Sequence, residues 1–416
     1  MKILHTADWH IGRTLYGKKR YDETSAFLDW LVNTIRDRRV DVLLVAGDVF
    51  DTTTPSNRAQ ALYYETLPRV AEAGCRHVVV TAGNHDSPSF LTAPRDLLKA
   101  LNVHVVGSAS TDPADEVIVL SDTAGHAELI VCAVPYLRDR DIRVVEAGER
   151  IEDKEHKLLA GIREHYALVG AYAEQVRERL ARPVPVVGMG HLFTAGGQTV
   201  TGDGVRELYV GSLAHVTSSV FPACFSYTAL GHLHVPQTVG GSDVIRYSGS
   251  PIPMGFGEAG QTKTVCLIEY EPDAGTDEAA SPTVHSVNIP VFQAIAEITG
   301  DWKHISQRID EYRRQGTAVW LEITYEGTEI TGDLRDRLEQ AIAGTRLEIL
   351  RVRNTRITDR VLGAMREDEH LEELDLYDVF ERCMAVHGVP EDQQVELRSV
   401  YRTAVRSLDE LDARAE

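Results

Sequence analysis

Five short apolar runs in this chain each end in a turn that carries Asp, Asn or His. Ile3–Leu4 leads to Asp8 and His10, and Val42–Ala46 to Gly47–Asp48. Val78–Val80 leads to Gly83–Asn84–His85–Asp86, Val184–Val187 to Gly188 and His191, and Tyr227–Leu230 to Gly231–His232–Leu233–His234. Runs of this length, bounded by turn residues, predict strands buried on both faces in a layered α/β core. Helical patterns lie between them at Phe27–Arg36, Asn57–Glu72 and Glu155–Leu180. Ligands of open α/β sheets bind beyond the carboxyl ends of the strands. Side chains distant in sequence are therefore expected to converge at one sheet edge.

The residue types in these turns suit a pair of divalent metals acting on a phosphoester. Such a pair clamps the phosphoryl oxygens and activates water, and needs a bridging carboxylate among mostly neutral donors. Asp8 and His10 stand two apart on an extended segment and share a face, as do His232 and His234. Asp48 follows a glycine just past its strand, Asn84 offers an amide oxygen, and His191 another imidazole. Mixed carboxylate and imidazole donors favour manganese, iron or zinc over calcium. Each piece alone is weak, and their joint occurrence in order carries the reading. His85 points away from Asn84 and is the candidate catalytic residue, as a cation or proton donor to the leaving oxygen. Asp51 is a candidate to orient a histidine or water, with helix capping after Pro55 as the alternative.

The segment Glu271–Pro282 (EPDAGTDEAASP) is polar and poor in large apolar residues, which predicts a linker. The expected organisation is a phosphoesterase domain over 1–270, a linker over 271–285, an α+β capping domain over 286–360 and a helical pair over 370–416. Within the cap, Phe292–Ile298, Ala318–Tyr325 and Leu347–Val352 are predicted strands. Asp301–Arg314 and Gly332–Ala343 are predicted helices. The final pair carries stripes at Leu376, Val379, Phe380, Cys383 and Met384, then Leu397, Val400, Tyr401, Ala404, Leu408 and Leu411. A hairpin this short cannot bury both faces alone, so it packs back or docks on a partner.

Acidic residues outnumber basic ones, 63 to 43, for a formal charge of -20. That balance argues against a protein that holds nucleic acid by its own surface charge. Metals or a partner would then have to supply local positive charge. The five cysteines are scattered with no CxxC pair, which argues against a disulfide framework or zinc ribbon. No apolar run is long enough for a membrane span or signal peptide, and a cytoplasmic protein is expected.

In order, DxH, GDxxD, GNHD, a single GH and GHxH resemble the calcineurin-like metallophosphoesterase family, whose fold is a layered β-sandwich flanked by helices. The longer stretches KILHTADWHIGRTLYG, GDVFDTTTPS, TAGNHDSPSF, GHLH and YSGSPIPMGFGE resemble its bacterial double-strand-break nucleases, relatives of the Mre-type nucleases. That resemblance covers nearly the whole chain. It implies one metal held by Asp8, His10, Asp48 and His234, and another by Asp48, Asn84, His191 and His232, with His85 catalytic. It also implies manganese, cleavage of DNA ends and hairpins, a homodimer, and an SMC-like ATPase partner whose coiled coil holds the C-terminal helices. ATP would enter only through that partner.

The alternative is a phosphoesterase for a small phosphodiester or a phosphoprotein, since one fold serves many substrates. The capping domain argues against it, and GNHD stands where protein phosphatases of the family carry GNHE. A scaffold with an inactive metal site is a third reading. Arg13, Lys18, Lys19, Arg20 and Arg58 are candidates for the DNA backbone, and Tyr16 for stacking on a base. The apolar stripe of Ala59–Leu67 is a candidate dimer surface.

Overall fold

The structure is a computed structural model. It describes residues 1–143, 150–180, 183–194, 197–199, 216–271, 281–327 and 334–354, with positions 380, 381, 384, 394, 397, 398 and 401. These residues fall into two compact units. The first comprises Met1–Glu297 with Thr317–Leu321, the second Ile298–Gly316 with Glu322–Glu416.

Two six-stranded sheets build the first unit. One runs, edge to edge, Thr283–Asn288, Thr264–Glu269, Lys2–Thr6, Val42–Ala46, His77–Thr81 and Val103–Val106. Its last four strands are parallel and its first two antiparallel to their neighbours. The other runs Gln237–Val239, Ser242–Tyr247, Phe225–Gly231, Val186–His191, Ala127–Ala133 and Val117–Ser121. Its four middle strands are parallel.

The period of two along each strand decides the layers. Ile3, Val42, Leu44, Ala46, Val79, Val131, Met189, Tyr227 and Ala229 point inward and form a core between the sheets. Leu4, Leu43, Val45, Val78 and Val80 point outward, against Phe27, Leu31 and Ile35 of the Tyr21–Arg38 helix and Tyr63 and Leu67 of the Asn57–Glu72 helix. Ile130, Cys132, Val186 and Leu230 meet Leu158, Ile162, Tyr166 and Val169 of the Ile151–Leu180 helix. The order is helix, sheet, sheet, helix. Both faces of the central strands are covered, which is why they read as unbroken apolar runs.

The structure differs from the sequence reading at two places here. Thr283–Asn288 pairs along the whole length of Thr264–Glu269, so the first unit continues past residue 270 to Glu297. Within the Asn57–Glu72 helix Ala59, Tyr63, Leu67 and Val70 are buried in the core, so these four residues are not available to a dimer surface.

The second unit carries the helices Trp302–Gln315 and Leu334–Ile342, which bury Ile305, Ile309, Leu334 and Leu338. Asp301 caps the first helix by accepting from the His304 amide at 2.8 Å, and Gly316 ends it in a left-handed conformation. A three-stranded sheet is ordered Ala294–Gly300, Val319–Tyr325, Leu347–Asn354. Of the predicted C-terminal pair only seven positions are described. The Phe380 and Tyr401 rings stack with centroids 4.0 Å apart, and Arg398 pairs with Glu381. Of the other stripe residues Met384 is buried and Leu397 exposed, while Leu376, Val379, Cys383, Val400, Ala404, Leu408 and Leu411 lie outside the described residues. Most of the predicted 271–285 linker does too.

Candidate metal centre

The carboxyl ends of both sheets meet at one edge, and the turns there are bonded to each other. The Asp8 amide donates to the Gly47 carbonyl and the His10 amide to the Asp48 carbonyl, each at 3.0 Å, and Ile11 bridges Phe50. Asp86 accepts from the amides of Gly83 (2.8 Å), Phe50 (2.9 Å) and Val49 (3.1 Å), tying the GNHD turn to the GDVF turn. The His232 amide donates to both oxygens of Asp8, at 2.9 and 3.1 Å. These bonds hold Asp8, His10, Asp48 and His232 at positive φ (55°, 43°, 49° and 97°). Left-handed backbone at a non-glycine residue stores on the order of 1–3 kcal/mol and persists only where its surroundings impose it.

Glycine is required where the turns touch. A Cβ on Gly83 would overlap the Asp48 carboxylate, and one on Gly231 the Ala46 carbonyl. The glycines before Asn84 and His232 thus let a neighbouring turn approach.

Asp48 Oδ2 lies 3.5 Å from His10 Nε2 and 3.3 Å from His191 Nε2. Its other oxygen accepts from the His85 amide at 2.8 Å. His10 Nε2 faces His234 Nε2 at 3.2 Å. Asn84 Oδ1 lies 3.0 Å from His191 Nε2 and 3.2 Å from His232 Nδ1. Three groups could each hold an ion: Asp8, His10 and His234; Asp48, His191 and His232; and His10, Asp51 and His85. The structure thus brings together every residue predicted as a metal ligand.

The donors themselves argue for a cation. His191 Nδ1 lies 3.0 Å from the Ala46 carbonyl, which takes the ring's one proton in the neutral form. Its Nε2 faces two more acceptors, Asn84 Oδ1 and Asp48 Oδ2, which either a second ring proton or a bound ion would satisfy. The buried His232 Nε2 has no hydrogen-bond partner. Divalent ions would satisfy these lone pairs, and the residues fit them.

Without a metal, protons and burial set the charges. Burial would pull His191 down, but adjacent Asp48 raises it to about 9. Burial would raise Asp48, and the His191 ring holds it well below the usual carboxylate range instead. Burial raises Asp8 and Asp86 to about 7, lowers His10 to about 4 and lowers His232 well below the usual range.

Around the donors stands a ring of supporting groups. Asp51 Oδ1 lies 3.2 Å from His10 Nδ1 and accepts from Arg13 Nη1 at 3.1 Å; these contacts outweigh burial and lower Asp51 to about 2. The helix after Pro55 is capped by Ser56, whose hydroxyl accepts from the Ala59 amide, so Asp51 does not serve as its cap. The Asp51 carbonyl faces His85 Nδ1 at 2.9 Å. Tyr16 is exposed and stacks on Phe256 at 5.8 Å. Arg58 pairs with exposed Asp22 and lies over the Tyr21 ring. Arg20 departs from expectation: it is buried in a two-pronged pair with Glu23 (2.7 and 2.8 Å) and also bonds the Pro253 carbonyl, so it does not face a substrate.

Sequence reasoning missed the groups behind His234. Glu258 is fully buried with Oε1 3.6 Å from His234 Nδ1, and buried Lys263 pairs with its other oxygen. Glu258 sits in the quoted stretch ending FGE, yet nothing local marks Lys263.

Fold and edge together define a calcineurin-like phosphoesterase, a hydrolase built for divalent metals. The family model of that description, "Calcineurin-like phosphoesterase", matches residues 1–156. A second, "Type 5 capsule protein repressor C-terminal domain", matches residues 291–387. The chain is 36% identical over 410 residues to SbcD of the nuclease SbcCD from Escherichia coli (strain K12), covering 98% of each chain. It is 36% identical to SbcD from Rhodobacter capsulatus (82% of this chain, 84% of that one). With SbcD from Bacillus subtilis the identity is 34% (78% and 79%). The chain belongs to the SbcD family of SbcCD nuclease components. Among solved structures, a dimetal phosphatase from Danio rerio aligns with 70% of this chain and 97% of its own, at 13% identity and a TM-score of 0.37. That likeness supports no inference. No helix among the described residues is long and apolar enough to cross a membrane.

Proposed function

We propose that this chain is the manganese-dependent nuclease subunit of a complex with an SbcC-type, SMC-like ATPase, cutting double-strand DNA ends and hairpins in repair and recombination. The observation that supports the reading is the convergence of Asp8, His10, Asp48, Asn84, His191, His232 and His234 at one buried sheet edge, with His232 Nε2 left without a hydrogen-bond partner. A buried cluster of this kind calls for cations, and its mixed donors suit manganese.

In this reading Asp8, His10, Asp48 and His234 hold one ion, and Asp48, Asn84, His191 and His232 the other. When bound, the pair supplies Lewis acidity toward the phosphoryl oxygens and lowers the pKa of water. Asp48, close to both His10 and His191, is the shared ligand. His85 is the catalytic residue: the Asp51 carbonyl accepts from Nδ1 and orients the ring, and in the doubly protonated ring the Nε2 proton passes to the leaving oxygen, leaving neutral imidazole. Asp51 and Arg13 are positioning residues that fix His10. Tyr16 offers an exposed ring to a base, and Lys18, Lys19 and Arg58 offer charge to the backbone. The C-terminal stripes dock on the ATPase, which uses the ATP and carries much of the DNA affinity that an acidic chain lacks. Two nuclease subunits pair in the assembly.

The test is cleavage of linear duplex and hairpin DNA by the purified chain with Mn2+, alone and with the ATPase and ATP. Expected is Mn2+-dependent cutting that EDTA stops. No cutting in the complete mixture would overturn the reading. Turnover of a chromogenic phosphodiester without DNA cleavage would favour the small-substrate alternative.

A further inference from the structure

The buried Glu258–Lys263 pair lies behind the sheet edge and converges on one candidate ligand, His234. Glu258 Oε2 accepts from the Met254 amide at 2.9 Å and pairs with Lys263. Its Oε1 is fully buried, has no hydrogen-bond partner and lies 3.6 Å from His234 Nδ1. A buried carboxylate oxygen left without a donor is unfavourable by about 1–3 kcal/mol or more, and a small shift of either side chain brings the ring nitrogen into bonding range. Lys263 also holds the backbone of the same histidine, donating to the His234 carbonyl at 3.0 Å, and reaches Gln261 at 3.1 Å and Ser250 at 3.2 Å.

We infer that Glu258 and Lys263 are positioning residues for His234. Glu258 takes the Nδ1 proton, so that Nε2 is the nitrogen presented toward His10, and Lys263 fixes both the carboxylate and the backbone that carry the ring. Partners of this kind set the tautomer and orientation of a metal-binding histidine. The inference rests on the two-metal reading above.

Manganese binding by the EDTA-stripped full chain, followed by the EPR signal of free Mn2+, tests it apart from activity. The parent is expected to fill two sites. Glu258→Gln and Lys263→Met are each expected to weaken one of them about 10–100-fold and leave the other as in the parent. In a His234→Ala background, Glu258→Gln is expected to add no further loss, because the two changes remove the same interaction. A purely structural ion pair would give additional loss there, and that result would overturn the inference. So would parental affinities at both sites in folded Glu258→Gln. If these variants misfold, Glu258→Asp keeps the charge beside Lys263 but withdraws it from His234. It is expected to show the same selective loss, and two parental affinities from it would overturn the inference. A parent that binds no divalent metal would overturn the two-metal reading and this inference together; two intact sites in parent and variants would overturn only the latter.

Discussion

His191 Nε2 stands 3.0 Å from Asn84 Oδ1 while the other ring nitrogen faces the Ala46 carbonyl, so without a metal the ring satisfies both acceptors only by carrying a second proton. A bound ion would take over that role and would also satisfy the buried His232 Nε2, which has no hydrogen-bond partner. Adding Mn2+ to the EDTA-stripped chain is expected to raise its melting temperature by several degrees. At a hundred times the dissociation constant, binding contributes about 2.7 kcal/mol. Asp48→Ala, which removes the shared ligand, is expected to abolish most of that shift in a thermal melt.

His85 bonds Asp48 only through its backbone amide. His85→Ala is therefore expected to lower cleavage about 10²–10⁴-fold while Mn2+ stoichiometry stays at the parental value. Parallel measurement of turnover and metal content checks this; lost metal would make His85 a ligand instead.

Arg20 and Glu23 are both buried, so their pair concerns stability rather than DNA. Arg20→Ala is expected to destabilise the chain by about 3–5 kcal/mol, since it strands a buried carboxylate. Replacing both by Met is expected to recover much of the loss. Urea unfolding of the three variants measures the difference.

His5 sits between the sheets, with Nδ1 2.9 Å from the Tyr227 hydroxyl, and burial lowers its pKa from 6.5 to about 3. The folded chain keeps this ring neutral while the unfolded chain protonates it. The penalty is absent above pH 6.5 and grows as pH falls toward 3. The gap corresponds to about 5 kcal/mol at full extent. His5→Gln is expected to flatten the acid limb of a stability-versus-pH curve recorded without metal; an unchanged limb would refute the assignment.

Deleting the residues after about 370 is expected to leave metal-dependent phosphodiesterase activity and abolish binding of the ATPase. The motivating observation is the pair of apolar stripes there. Normal complex formation by the truncated chain, measured by gel filtration, would refute this.

That Asp8, His10, Asp48, Asn84, His191, His232 and His234 gather at one sheet edge was legible in the chain because each follows a strand buried on both faces. Such a strand leaves an unbroken apolar run ending in a polar turn, a signal confined to a few residues. Val42–Ala46 was bounded correctly for the same reason, and Asn57–Glu72 by the helical spacing of its one apolar face. The edge strand Thr283–Asn288 was not legible, because its exposed faces leave no apolar pattern and only pairing with Thr264–Glu269 makes it a strand.

Tertiary structure alone decided which charges face inward. Arg20 reads as a surface cation until the Pro253 carbonyl and Glu23 enclose it, and Lys263 has no mark until it meets Glu258 and the His234 carbonyl. Donor type and strand ends are properties of neighbouring residues along the chain. Orientation of a donor depends on groups contributed by other strands and turns, and only the folded chain sets their distances.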